Sequence, residues 1–376
     1  MKDIIIECTG KALCASIAEI GNIKYHLPLI NAYVLEVKEE DVALLCNTPG
    51  ITLVHNTTSV TTQMQHARKV VKADAAHRMG IYGRDITIAV LDTGISPVKD
   101  LTATPQRMLA FKDFINSVDN AYDDNGHGTH VAGIAAGSGM CSDGKYAGIA
   151  PMANVIGIKV LDEDGNGSSS DVLAGLQWIV DNKCRYNIRI ANLSVGTHEI
   201  FHNDPLVRGV EAAWDCGIVM TIAAGNNGPT PSSVTSPGIS RKVITVGTSD
   251  DHAPVEILGR TAQYYSGRGP TNECIIKPDI LAPGAAIISC LSQNLPERRS
   301  KSLSANIVTP NYLSLSGTSM STPVVSGAIA LLLELHPHLH PDEVKLLLKL
   351  SSADLNKPKN HQGWGLLDIE RLISLI

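Results

Sequence analysis

The sequence predicts a three-layer α/β/α domain built on a mostly parallel sheet, with a small α+β unit ahead of it. Three observations carry this. Beyond about residue 67, short apolar runs alternate with stretches whose apolar residues recur at helical spacing. Those runs are apolar on both faces, as strands must be when helices cover both sides of a parallel sheet. The first 60 residues are a separate alternation of strand-like and helix-like pieces, followed by a polar stretch at 56–65. At 376 residues the chain is long for one core, so a small domain at 1–62 and a large one at 63–376 are expected.

In the small unit, residues 3–7 read as a strand and 11–20 as a helix. Residues 32–37 alternate, with Tyr33 and Leu35 on one face and Val34 and Glu36 on the other. Residues 39–46 form a short amphipathic helix, Asn47-Thr48-Pro49-Gly50 a turn, and 51–54 a last strand. In the large unit, strands are expected at 86–91, 155–160, 188–193, 218–223 and 243–246. Helices are expected at 128–136, 170–181, 205–216, 322–336 and 342–350. The polar stretch 292–311 reads as a surface loop.

Hydrophobic residues make up 44% of the chain and charged residues 18%, which suits a large core and not a disordered chain. A net charge of −6 argues against nucleic acid or an anionic membrane surface as partner, since both require a basic face. The N-terminus has no apolar core followed by a small-residue cleavage site, so a soluble cytoplasmic protein is expected, or a secreted one were a leader to precede it. The apolar stretch 323–335 is too short to span a bilayer. Eight cysteines are scattered without CxxC spacing, which supports neither a zinc motif nor a disulfide framework.

Three segments carry chemistry. Val90-Leu91-Asp92-Thr93-Gly94 ends a buried strand with an acid. Asn125-Gly126-His127-Gly128-Thr129-His130 places a histidine at a helix start. Gly317-Thr318-Ser319-Met320-Ser321-Thr322-Pro323 opens a long apolar helix with a serine. A serine hydroxyl needs a base to become a nucleophile, histidine titrates in the right range, and a carboxylate behind it fixes the tautomer. Ser319 at a helix start lies among unpaired N–H groups at the positive end of the dipole. Pro323 is expected within the first helical turn, where its missing N–H does no harm. A fourth segment, Ala223-Ala224-Gly225-Asn226-Asn227-Gly228, offers Asn226 as a side-chain donor to an oxyanion.

These four segments resemble the subtilase family of serine proteases, and closest its intracellular alkaline branch. So do Asp123-Asp124-Asn125-Gly126-His127, Ile156-Gly157-Ile158-Lys159-Val160-Leu161, Ser266-Gly267-Arg268-Gly269-Pro270 and Lys277-Pro278-Asp279-Ile280-Leu281-Ala282-Pro283-Gly284. The likeness spans nearly all of residues 75–372. It implies a subtilisin-like fold and a serine endopeptidase acting on peptides or proteins. Asp92 would be the orienting acid, His127 the base, Ser319 the nucleophile and Asn226 the oxyanion donor. Ser194, Val195 and Gly196 would pair with substrate backbone, and Gly165, Asn166 and Gly167 would form the facing wall. Residues 1–60 resemble the family's inhibitory propeptide through Asn31-Ala32-Tyr33-Val34-Leu35-Glu36-Val37 and Thr48-Pro49-Gly50-Ile51. That implies a ferredoxin-like unit that assists folding, caps the cleft and is cut off by the enzyme between residues 56 and 67. No cofactor is required. Asp100 falls where many subtilases place a calcium ligand, which leaves calcium open.

Three other patterns have blander readings. His130, three residues after His127, lacks the glutamate of a zinc-protease motif and reads as a structural histidine. Residues 162–173 begin like a calcium loop but carry Leu173 where a bidentate Glu is needed. His336, His338 and His340 read as a turn between two helices rather than a metal tract.

Overall fold

The computed structural model describes residues 2–8, 14–27, 32–56, 63–103, 106–197, 204–257 and 260–375. The chain divides into two units, Met1–Thr61 and Thr62–Ile376.

The small unit runs β1 (Lys2–Cys8), α1 (Cys14–Ile20), β2 (Asn22–Leu27), β3 (Ala32–Val37), α2 (Val42–Cys46) and β4 (Ile51–Asn56). Its antiparallel sheet has the order β2-β3-β1-β4, a split β-α-β arrangement. Ile4, Ile6, Ile17, Leu35 and Leu45 fill its core. The sequence reading omitted β2. That strand lies at a sheet edge with Tyr25 exposed, so it buries too little to leave a clear apolar period. The clean alternation expected of 32–37 also fails. Interior strand β3 buries Ala32, Val34, Leu35 and Val37, and only Tyr33 and Glu36 stay partly open. The start of the helix expected at 11–20, and most of the polar stretch at 56–65, lie outside the described residues.

The large unit is built on a seven-stranded sheet. Its strands are β5 (Thr87–Asp92), β6 (Met108–Asp113), β7 (Asn154–Lys159), β8 (Ile188–Leu193), β9 (Val219–Ala223), β10 (Ile244–Thr248) and β13 (Ile280–Ala282), with β11 (Val255–Ile257) and β12 (Arg260–Ala262) forming a separate hairpin. The order is β13-β10-β9-β8-β5-β7-β6, and every pairing is parallel. A further antiparallel ladder joins β14 (Ile287–Cys290), β16 (Tyr312–Leu315) and β15 (Ile307–Thr309).

Helices α6 (His127–Ala136) and α10 (Thr318–Leu335) pack together on one sheet face. Helices α7 (Ser169–Tyr186) and α8 (Pro205–Asp215) pack together on the other. The remaining helices are α3 (Gln63–Val70), α4 (Ala73–Arg78), α5 (Lys99–Thr102), α9 (Glu297–Leu303), α11 (Pro341–Ser351), α12 (Lys359–Gln362) and α13 (Ile369–Ser374). The result is the expected three-layer α/β/α domain. All six residues of β5 are buried, which is why 86–91 reads as an apolar run interrupted only by Thr87. Strand order reverses around β5, with β7 on one side and the later strand β8 on the other. The crevice beyond the carboxyl ends of strands at such a reversal is where α/β sheets seat ligands.

Helix α10 is longer than the sequence reading allowed. With mean hydropathy 1.4 over 18 residues it is long and apolar enough to cross a membrane, yet 83% of it is buried inside the large unit. Packing marks it as a core helix, not shortness. The stretch 292–311 is also more than a loop. It holds α9 and β15, and Leu303 packs with Leu291 and Leu313 in a small apolar cluster of its own.

Candidate active site

Strand β5 delivers Asp92 to its carboxyl end, where the side chain is fully buried. Its Oδ1 accepts the Thr93 N–H at 2.8 Å and lies 2.7 Å from His127 Nδ1. A buried anion in that position fixes the neutral tautomer with the proton on Nδ1, leaving Nε2 as an acceptor. Burial favours the uncharged imidazole, but the Asp92 carboxylate outweighs it and Asp123 adds to the pull, so the His127 pKa lies above its ordinary 6.5. The imidazole keeps 24% of its side chain open to solvent.

His127 opens α6 because of what surrounds the turn before it. The fully buried Asp123 carboxylate accepts five hydrogen bonds: from Thr93 Oγ1, the N–H groups of Asn125, Gly126 and Thr129, and Thr129 Oγ1. It thus satisfies helix-terminal donors that no intrahelical carbonyl can reach. Burial raises the Asp123 pKa, and its donors pull it back only in part. Gly128 lets the helix press against Asp92. A Cβ there would stand 2.1 Å from the Gly94 carbonyl oxygen. Beside this turn the fully buried Lys159 donates to Asp124 Oδ1 at 2.7 Å and to the carbonyls of Thr93 and Leu161.

Ser319 is the second residue of α10, after Gly317 at φ +143°. Its hydroxyl donates to the Ser194 carbonyl at 3.1 Å, and the Ser194 hydroxyl donates back to the Ser319 carbonyl at 3.0 Å. The second bond has a cause in the sequence. An α-helix would satisfy the Ser319 carbonyl with the N–H four residues on, which is Pro323 and has none. Pro323 therefore lies past the first turn expected for it, and Ser194 supplies the missing donor. Ser194 is held in turn by Asn192 Nδ2 at 2.9 Å, and Asn192 by Ser326 at 2.8 Å. Asn226 Oδ1 accepts both the N–H and the hydroxyl of Thr318, at 2.9 and 3.0 Å. This leaves its Nδ2 group as the free donor, facing the space beside Gly317.

The other expected residues fall as follows. Val195 is partly open and Gly196 exposed, just past the end of β8. Gly165, Asn166 and Gly167 are exposed in a loop folded back on Asp162, whose carboxylate accepts the N–H groups of Asp164 and Asn166. His130 is buried, with Nε2 against the carbonyls of Ile287 and Leu313 at 3.0 and 3.2 Å, and burial pushes its pKa down to about 3. His336, His338 and His340 lie in or beside the turn between α10 and α11. Asp100 does not fit a cation. Its oxygens accept from the N–H groups of Gly139 and Cys141 and from the Tyr312 hydroxyl, a set of donors where a metal needs more oxygen acceptors.

The sequence model described as the subtilase family matches residues 83–365. The chain belongs to this family. It is 44% identical over 315 residues to the serine protease AprX of Bacillus subtilis, covering 81% of this chain and 68% of that protein. It is 31% identical to an alkaline protease of Shouchella clausii, over 89% of this chain and 77% of the other. It is 32% identical to subtilisin BL of Lederbergia lenta, over 80% and 95%. Among solved structures it resembles a cold adapted subtilisin-like serine proteinase, with TM-score 0.59, 28% identity, and 77% of this chain and 90% of that one covered. This subtilase is accordingly a serine-type endopeptidase.

Sequence reasoning about this subtilase passed over Asp123, although Asp123 stands inside a quoted motif. The available signal was indirect: Gly126 holds the cap position of that helix and has no side chain, so its terminal donors need an acid from nearby. It also gave no role to the Ser194 hydroxyl. A proline four residues after a serine, within a helix, is the cue that the serine carbonyl needs an outside donor.

Proposed function

We propose that this subtilase hydrolyses peptide bonds through an acyl-enzyme. Ser319 attacks the carbonyl, His127 takes and returns the proton, and Asp92 holds His127. Asn226 Nδ2 and the Ser319 N–H stabilise the tetrahedral oxyanion. The observation that carries the reading is the 2.7 Å bond between a wholly buried carboxylate and a partly open imidazole. For the reaction the Ser319 hydroxyl must exchange the Ser194 carbonyl for that imidazole, a change of the kind that substrate binding brings. The substrate lies extended between 194–196 and 165–167. No cofactor enters the reaction. Residues 1–62 act as an inhibitory propeptide that the enzyme removes by cutting between residues 56 and 67, and the protein works in the cytoplasm.

The test is to purify the chain with and without Ser319→Ala and follow intact mass over time. An N-terminal fragment released only from the unmutated chain supports activity and self-processing together. A serine-directed phosphonate that leaves Ser319 unlabelled would point instead to an inactive peptide-binding member of the family.

A further inference from the structure

The stretch 292–306 touches the site in a way that the proposed chemistry does not use. It is anchored twice through side chains. Ser292 Oγ donates to the Asp123 carbonyl at 2.6 Å, and Asn294 Oδ1 accepts from Ser96 Oγ at 2.7 Å. Leu303 seats it on Leu291 and Leu313, and Leu295 packs beside Gly126, 3.2 Å from where a Cβ there would stand. From α9, Arg299 Nε donates to the Asn125 carbonyl at 2.9 Å and its Nη2 to Asn125 Oδ1 at 3.2 Å. Asn125 is a junction. The same Oδ1 accepts the His127 N–H at 3.3 Å, and its Nδ2 donates to the Glu163 carbonyl at 2.9 Å. The neighbouring Arg298 pairs with Asp164 on that same loop.

We propose that residues 292–306 form a strap whose Arg299 is a positioning residue: it locks the histidine turn and the 162–167 loop into one geometry and sets a positive charge near His127. The inference rests on the triad reading above. A guanidinium suits the task because its planar fork can grip a carbonyl and a side-chain amide of one residue together. The charged and titratable groups facing His127 are Asp92 from β5, Asp123 from the preceding turn, the neutral His130 one turn on, and Arg299 from α9. Both carboxylates favour the imidazolium, and Arg299 opposes them. Asp92 cannot be dispensed with, since it fixes the tautomer. A nearby cation keeps more of the imidazole in its basic form without loosening that bond.

The test uses the full chain with a short peptide substrate and measures kcat and KM from pH 5 to 9 for Arg299→Gln and Arg299→Lys. For Arg299→Gln the acid limb of kcat/KM should move up by about half a pH unit, as expected for losing one charge screened by partial exposure. KM should rise severalfold as the 162–167 loop loosens. Arg299→Lys keeps the charge and loses the fork, so its limb should stay with the unmutated enzyme while KM still rises. A limb unmoved in Arg299→Gln overturns the proposal, as does a limb moved equally in both variants. Should Arg299→Gln fail to fold, raising the ionic strength on the unmutated enzyme replaces it, and a limb that does not respond overturns the charge role. Phosphonate labelling of Ser319 in the unmutated chain separates the cases: labelled protein with an unmoved limb sinks the strap alone, and unlabelled, inactive protein sinks the triad reading beneath it.

Discussion

The histidine half of the site and the serine half are built differently. The histidine side is held by buried charge: Asp92 on the ring, Asp123 under the helix start, Lys159 beside the turn. The serine side contains no charged group among its described partners. It is held by hydroxyls, amides and main-chain carbonyls: Ser194, Asn192, Ser326, Thr318 and Asn226. On the proposed mechanism the base would have to keep one tautomer and one direction while it gains and loses a proton, which buried carboxylates enforce. The nucleophile would have to swing, which neutral hydrogen bonds of about 1 kcal/mol each allow.

This contrast can be tested at several depths. The deepest test is Ser319→Ala. Peptidase activity should fall by about 10⁴-fold or more while thermal stability stays within about 1 kcal/mol, because the hydroxyl makes one exchangeable bond. Retained activity would remove Ser319 from the chemistry. Next is Asp123→Ala, which strips five hydrogen bonds from a buried turn. Denaturant unfolding should show a loss of about 3–5 kcal/mol, and a loss under 1 kcal/mol would show that the histidine side is not held as described.

Asn226→Ala should lower kcat by about 10²–10³-fold with little change in KM, since the donor acts on charge that develops during the reaction. A change in KM alone would assign Asn226 to substrate binding. Ser194→Ala leaves the Ser319 carbonyl unpaired and should cost about 1–3 kcal/mol in unfolding free energy. A neutral result would mean that water replaces the hydroxyl without penalty.

The smallest effect lies in pH. The His127 pKa is raised above 6.5, and in the proposed mechanism the neutral imidazole is the form that takes the proton. The rate should therefore fall as pH drops through a value above 6.5. The same shift stabilises the fold below that value, and this contribution fades as pH rises through it. A kcat/KM limb below pH 6 would contradict the carboxylate control of the ring.

Much of this was legible in the sequence, for reasons that differ along the chain. Strand 188–193 was placed to the residue because five of its six residues are buried and four of them, Ile188, Ile190, Ala191 and Leu193, are apolar. The edge strand β6 was missed because its middle residues are open, as β2 was in the small unit. Asp92, His127, Ser319 and Asn226 stood out because each sits where a strand or helix ends among glycines and small residues. Asn125 and Arg299 did not, because the bond between them spans 174 positions of chain. No local period reports on such a pairing. The turn of Ser319 towards Ser194 could not be read at all, since it is a choice between side-chain rotamers.

Pro323 gives the serine half one property that follows from a missing proton. By leaving the Ser319 carbonyl for Ser194 to claim, it stitches the first turn of a buried core helix to the end of a strand on which a peptide would lie. Anything that tugs on residues 194–196 is thereby felt in the backbone of Ser319. A peptide that seats well and one that seats badly would then present their carbonyls to differently poised serines, so that fit along the cleft becomes speed at its centre.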